Sequence, residues 1–321
     1  MIMADRHPYA SAVGSVAELS ERRRRALRIS LVANAGFMVV EIVGGVAFGS
    51  LALLADATHM FADVAALGIA LIAQQLVDRP ASVRHTFGLQ RAEVLGAQIN
   101  GLLLLVTAGW ILYEASRRLS QPTEIDGGGL LLVASLGFAV NVACAVLLAR
   151  TGGSSLNMRG ALLHMIADAA SSVGAIVAGF AVLLFDSTWV DPVVSVLIGA
   201  LVVWTGWNML RATTHVLLEG APGHIDPQQV ERFLADFPGV SSVHHVHLWH
   251  LTSESAALSA HVVLEGDPTL HQAQTRGDNL KGQLADRFAI SHATLELECH
   301  DCEPDDCGAA EHQRVTDTRR G

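Results

Sequence analysis

The chain has 321 residues, of which 51% are apolar and 16% charged, with a formal net charge of −10 and a mean hydropathy of +0.39. An ordinary soluble domain carries about 25% charged residues, so this is the composition of a membrane protein diluted by a soluble part. Basic residues cluster near the start and the acidic excess lies mostly in the C-terminal third, a distribution that leaves no footprint for nucleic acid.

Crossing the hydrocarbon as a helix takes about 20 apolar residues, and the stretches 29 to 48, 50 to 76, 93 to 119, 129 to 149, 160 to 185 and 189 to 210 qualify. The N-terminus has no short apolar core followed by a small-residue cleavage site, so the first stretch is expected to stay as an anchor. Six crossings put both ends on one side, and arginine says which. Arg22 to Arg25 and Arg28 precede the first stretch, Arg79, Arg84 and Arg91 separate the second from the third, and Arg150 and Arg159 flank the loop after the fourth. The opposite loops carry Glu124, Asp126, Asp186 and Asp191, with Arg117 and Arg118 the discordant pair. Both termini are therefore expected in the cytoplasm. Cys144 in an apolar stretch and Cys299, Cys302 and Cys307 near the end form no disulfide framework, which fits a reducing compartment.

Past Arg211 the period changes and a soluble domain is expected. Asp226-Pro227 is a helix start, an N-cap residue followed by proline at the first helical position, leading into QQVERFLADF. VSSVHHVHLWHL and AALSAHVVLE alternate as strands, TLHQAQTRGDNLKGQLADRF reads as an amphipathic helix, and HATLELECH as a third strand. The order αββαβ predicts a small α+β sandwich with helices on one face of the sheet, and its modest core would gain from a partner subunit. The expected whole is a polytopic α-helical membrane protein. It has a cytoplasmic segment 1–26, six transmembrane helices within 27–211, a cytoplasmic α+β domain 212–300, and a polar tail 301–321 that is expected to be disordered.

The second and fifth apolar stretches carry charge where charge is expensive. LADATHMFADV holds Asp56, His59 and Asp63, and LLHMIADAASS holds His164 and Asp168. Ionisable groups in hydrocarbon cost from a few kcal/mol upward, so their default reading is functional. His59 and Asp63, like His164 and Asp168, are one helical turn apart and share a face. Two HxxxD pairs on two helices offer two nitrogens and two oxygens, a tetrahedral ligand set for Zn²⁺ or a close relative. At about 1.5 Å per residue along spans of opposite direction, Asp63 and Asp168 fall at a common depth, with His59 above them and His164 below. Two carboxylates and two neutral imidazoles around a dication sum to zero, the arrangement a low-dielectric interior accepts most cheaply. Without metal the carboxylates or imidazoles take up protons, so metal and protons compete for the same atoms and proton antiport follows. Asp56, a turn before His59, reads as an exit-path or hydrogen-bonding residue, and Glu41, Asn34, Asn100 and Asn141 read as helix–helix hydrogen bonds.

SLALLADATHMFAD in the second stretch, HTFGLQRAEVLGA entering the third, HMIADAASS in the fifth and DPVVSVLIGALVV in the sixth resemble the cation diffusion facilitator family. The resemblance is to its bacterial zinc, cadmium and cobalt exporters and runs from about Arg25 to Cys302. It implies a transport site on His59, Asp63, His164 and Asp168, the set the residues indicate by themselves. It also implies a homodimer with a metallochaperone-like C-terminal domain, exporting metal by alternating access in exchange for protons. Histidine in both pairs favours Zn²⁺ over the harder Mn²⁺. Some members carry a second site in the loop between the second and third spans, for which this chain offers Asp78 and His85, although a further family histidine stands here as Leu89.

Of the 15 histidines, His244, His245, His247 and His250 fall on the first predicted strand and His261 on the second. Alternation puts His245 and His247 on one face and His244 and His250 on the other, while pairing brings His244 towards His261, and Glu296 and Glu298 share a face. The resemblance implies a regulatory zinc site at the dimer on His244, His261 and Glu298, with His271 reaching across from the other subunit. His245, His250 and His292 read as ordinary surface residues, and Cys299, His300 and Cys302 in ECHDC could capture metal as thiolates. Metal held between two subunits would draw the soluble domains together and shift the membrane halves between inward-open and outward-open states.

These readings converge on a proton-coupled exporter of Zn²⁺, compatible with Cd²⁺ and Co²⁺, in a bacterial-type inner membrane. Moving a dication out against an inside-negative potential costs about 4.6 kcal/mol per 100 mV, which inward protons can offset. No GxxxxGK[ST] loop occurs, so no nucleotide is expected to drive it. Two competitors belong to other classes. An intramembrane metallohydrolase would need a general base and an open coordination position, and no HExxH occurs. A membrane-bound sensor or scaffold would bind the metal without moving it.

Overall fold

The computed structural model describes residues 8–48, 51–120, 127–151, 155–185 and 190–300; the tail expected to be disordered lies outside them, as do the side chains of Glu41, Asp56 and His59. The chain divides into two compact units, Met1–Leu218 and Glu219–Gly321.

The first unit consists of α1 (Pro8–Phe48), α2 (Leu51–Val77), α3 (Ala92–Ser120), α4 (Gly127–Arg150), α5 (Leu156–Phe185) and α6 (Val190–Leu217). α1 starts well before its apolar stretch because AELSERRRRAL is itself a run of good helix formers, and Arg22 pairs with Glu18 one turn back at 2.6 Å. α6 likewise continues past Arg211, where hydropathy falls and the soluble domain was expected to begin. Thr213 turns its hydroxyl onto the Met209 and Leu210 carbonyls, both at 3.0 Å, so the added turn satisfies its own polar groups. The division between units therefore follows α6, at Leu218.

α1 packs chiefly on α2, α3 on α6 and α4 on α5, and α5 also meets α2 and α3. Glycine allows the close α3–α6 approach: a Cβ on Gly206 would lie 3.2 Å from the Gly101 carbonyl oxygen and 3.1 Å from Leu105. Large apolar side chains face outward, with Val106, Trp110, Leu197, Trp204 and Trp207 all more than half exposed, while Ser30, Asn34, Asn100 and Thr213 are fully buried. This polarity is inverted relative to a soluble bundle. It is what hydrocarbon surroundings select, because burying leucine gains nothing when the solvent is equally apolar. By length and composition, Ala92–Arg117 and Val193–Leu217 can each cross a membrane. Among the buried polar groups, Asn34 donates to the Ser30 carbonyl at 2.9 Å and lies 3.5 Å from Cys144 Sγ and 3.8 Å from Met165 Sδ, which ties α1 to α4 and α5.

The second unit runs α7 (Pro227–Ala235), β1 (Val240–His250), β2 (Ala256–Leu264), α8 (Leu270–Phe288), β3 (Ile290–Glu298), the αββαβ order. Asp226 accepts the Gln228 N–H at 3.0 Å with Pro227 at the first helical position, and Thr269 and Gln272 form a capping box on α8. β2 is central, antiparallel to β1 and parallel to β3, and the parallel pair is connected through α8. α7 packs on β1 and α8 on β3, so that Val230, Leu234, Leu280 and Leu284 share one core with Leu248, Leu258, Val262 and Ile290.

Candidate metal centres

α2 and α5 meet at Asp63 and His164. His164 Nε2 lies 3.0 Å from Asp63 Oδ1 and 3.9 Å from Oδ2 of Asp168, one turn further along α5. Asp63 and His164 are each 1% exposed and Asp168 8%, and their ligand atoms all lie within 4.8 Å of one another. That spacing is close to what a single ion needs, since zinc holds nitrogen and oxygen at about 2.0–2.2 Å.

The 3.0 Å contact carries chemical information. A bare imidazole lone pair and a carboxylate oxygen repel, so the approach of His164 Nε2 to Asp63 Oδ1 is favourable with either a proton or a cation between them. His164 Nδ1 is buried with no hydrogen-bond partner among the described residues, so no acceptor there holds the ring in one tautomer. The atoms that would ligate a cation are therefore atoms that a proton can also bridge. His59 sits on α2 one turn before Asp63, and its side chain is outside the described residues.

The loop pair behaves differently. Asp78 is bonded to the Ser20 hydroxyl, lies 3.5 Å from the Arg24 guanidinium and accepts from Gln74 at 3.4 Å, so it fastens the end of α2 to α1. His85 is exposed in a turn where its N–H donates to Ser82. Among the described residues no metal-sized group contains either of them.

In the second unit His244 and His261 face each other across the β1–β2 pair, as strand pairing predicts. Strict alternation along β1 does not hold. The register steps from His244↔His261 to His247↔Ser259, which leaves one extra residue on β1, a bulge, and His245 within it takes a left-handed backbone with φ of 48°. The bulge re-aims His245, expected to share a face with His247, onto the side of His244 and His261. The three rings lie with centroids 5.0 to 5.1 Å apart, and their ligand atoms form a metal-sized group. His261 also has Nδ1 2.6 Å from Glu298 Oε1 and Nε2 3.4 Å from Glu296 Oε2, and His244 Nε2 is 3.4 Å from Glu298 Oε2. His261 is thus the hinge of two overlapping groups, one imidazole-rich and one carboxylate-rich. His250 is buried with Nδ1 3.0 Å from the Thr252 carbonyl, His292 and His271 are exposed, Cys299 is an exposed free thiol, and Cys302 is outside the described residues.

A non-glycine residue at φ near +50° costs on the order of 1 kcal/mol, and such outliers gather where geometry serves a ligand. Replacing His245 by glycine is therefore expected to raise the unfolding temperature of the metal-free protein by a few degrees and to shrink the further rise that Zn²⁺ causes. Differential scanning fluorimetry reads both. An unchanged response to Zn²⁺ would remove His245 from the ligand set.

Two family models match the chain: the cation efflux transmembrane domain over residues 27–218 and the cation efflux protein cytoplasmic domain over residues 222–300. The metal cation efflux system protein CzcD of Cupriavidus metallidurans is 42% identical over 289 residues, 90% of this chain and 90% of that protein. The cadmium, cobalt and zinc/H(+)-K(+) antiporter of Bacillus velezensis is 38% identical over 277 residues, 86% of this chain and 88% of its own. The zinc transporter ZitB of Escherichia coli is 38% identical over 289 residues, 89% of this chain and 91% of its own. Among solved structures, the metal-bound C-terminal domain of the CzcD transporter is 37% identical with a TM-score of 0.21, covering 23% of this chain and 99% of that one.

Proposed function

The chain belongs to the cation efflux family, a membrane-embedded transporter of metal cations and not an enzyme, and from that premise we propose that it exchanges cytoplasmic Zn²⁺ for protons through His59, Asp63, His164 and Asp168. The observation that carries the proton coupling is the contact between His164 Nε2 and Asp63 Oδ1: two atoms 3.0 Å apart can share one proton or one dication, so each displaces the other. Relatives named for zinc, and for cadmium, cobalt and zinc together, support the ion class. So does the donor set, intermediate between the oxygen-only cages of hard cations and the thiolates of soft ones.

The proposed orientation has both termini in the cytoplasm of an inner-membrane protein, as the arginine distribution favours. The working unit is a homodimer. In each cycle the cation enters from the cytoplasm, displaces the protons held among the carboxylates and imidazoles, and leaves outward when protons from the other side return to the same atoms. Zn²⁺ on His244, His245, His261, Glu296 and Glu298 serves as the cytoplasmic signal that activates transport, with His271 of the second subunit as a further ligand. The loop pair Asp78 and His85 is left out of this scheme, since Asp78 is engaged by Ser20 and Arg24.

The test is metal uptake into sealed proteoliposomes under an imposed pH gradient, with Zn²⁺, Cd²⁺, Co²⁺ and Mn²⁺ compared. Zn²⁺ flux no faster than in protein-free vesicles sinks the reading. His261→Ala is expected to flatten the rise of flux with Zn²⁺ concentration on the cytoplasmic side. If that dependence survives unchanged, regulation through this centre is wrong.

A further inference from the structure

We propose that Asn157 is the positioning residue that sets the axial register of α5 against α2, and through it the ligand spacing and the ion preference of the membrane centre. This rests on the transport-site reading above. Asn157 is fully buried and its amide donates to the Ala70 carbonyl of α2 at 2.7 Å. On α5 it precedes His164 by two helical turns, and on α2 Ala70 follows Asp63 by two turns. The offsets are equal and opposite, as two contacts on one seam of antiparallel helices must be. Because seven residues return to the same face within about 20°, the Asn157–Ala70 contact lies on the same seam as His164–Asp63, about 10 Å along it.

The partner is main chain, which gives the contact its precision. A helix backbone cannot shift one carbonyl independently of its neighbours, so an amide held to it fixes where α5 lies along α2. Asn157 is fully buried, so slipping would leave its amide without a partner, although Ala70 keeps its own intrahelical bond.

α3 closes the third side of this junction. Glu93 accepts the N–H of Leu156, the first residue of α5, at 2.9 Å, and so satisfies a donor that the start of that helix leaves open. A Cβ on Gly96 would come 2.9 Å from Asn157 Oδ1 and 2.6 Å from the Ala73 side chain, and Gly160 rests on Ala97 and Asn100. Glu93, Gly96, Ala97 and Asn100 are the i, i+3, i+4, i+7 face of α3. The first turn of α5 is thereby held by α2 and α3 before its ligands are reached. None of these residues belongs to the proposed ligand set, and each bears on where His164 and Asp168 come to rest.

A cage held in register favours the ion whose bond lengths it matches, and a loosened one expands around a larger ion. The experiment uses full-length protein in proteoliposomes with an imposed pH gradient and measures KM and kcat for Zn²⁺ and for the larger Cd²⁺. Asn157→Ala is expected to raise KM for Zn²⁺ about tenfold with kcat within about twofold, and to change KM for Cd²⁺ less than about threefold, so that the Zn²⁺ over Cd²⁺ preference falls. Asn157→Ser, which keeps a polar side chain but is too short to reach the Ala70 carbonyl, should move the preference in the same direction and serves if Asn157→Ala does not fold. A proportional loss of kcat for both ions with KM and preference unchanged overturns the proposal, as do wild-type values in both variants. Asp63→Ala measured alongside separates the two levels. If it transports like wild type, the site assignment fails; if it is inactive while both Asn157 variants keep the wild-type preference, only the register argument fails.

Discussion

Vesicles containing the Asp63→Ala protein are expected to take up Zn²⁺ at least about 100-fold more slowly than wild type. Two carboxylates and neutral imidazoles balance a dication, and removing one carboxylate leaves a net positive charge at a centre where Asp63 is 1% exposed. A unit charge at 4 Å in an effective dielectric of about 20 is worth about 4 kcal/mol. Even if a third of that is recovered by relaxation, the remainder corresponds to about 100-fold. The variant also removes the hydrogen-bond partner of buried His164 Nε2, which adds to the cost. Asp168→Ala should behave similarly, with a smaller secondary loss because Asp168 lies 3.9 Å from that imidazole against 3.0 Å for Asp63. Initial rates of Zn²⁺ uptake, at matched amounts of protein that elutes as one species on size exclusion, decide the matter. Uptake within twofold of wild type for Asp63→Ala would place the transport site elsewhere.

The second large effect is on pH. Under the proposed exchange, Zn²⁺ and a proton compete for Asp63 and His164, so apparent affinity is expected to fall as pH falls, by about tenfold per pH unit for each proton displaced. The sign follows from competition: acid fills the atoms the metal needs, and raising the pH empties them. Between pH 7.5 and 5.5, displacement of one proton throughout would weaken binding by about 100-fold, and two protons would square that factor. Calorimetry of Zn²⁺ binding in buffers of different ionisation enthalpy counts the protons released, and a protonophore that collapses the gradient should stop uptake against a Zn²⁺ gradient. Binding that is flat across this range, or uptake indifferent to the protonophore, would exclude proton exchange at this centre.

The two centres differ in how much of them could be read in advance. His164 and Asp168 stand out because hydrocarbon makes any ionisable residue conspicuous and a four-residue spacing fixes a shared face. The soluble domain was legible for a similar local reason: Asp226-Pro227 marks a helix start by cap chemistry. His245 was misplaced because a bulge changes the period of a strand, and no glycine or asparagine marks the position where the chain turns left-handed. Asp78 looked like a loop ligand by motif, yet its neighbours Ser20 and Arg24 come from a helix far away in the chain. Asn157, beside Arg159 at a loop edge, carries no mark in the sequence of the carbonyl it reaches on α2.

The sequence by itself determined which residues are costly to place in a membrane, which of them share a helical face, and the order αββαβ of the soluble domain, because these depend on composition and on periods of a few residues. Tertiary structure alone decided that Ala70 receives Asn157, that Asp78 is held by Ser20 and Arg24 of α1, and that His245 joins His244 and His261. The physical reason is that periodicity assigns a residue to a face, whereas the axial register of one element against another is set by packing and by hydrogen bonds between residues distant in the chain.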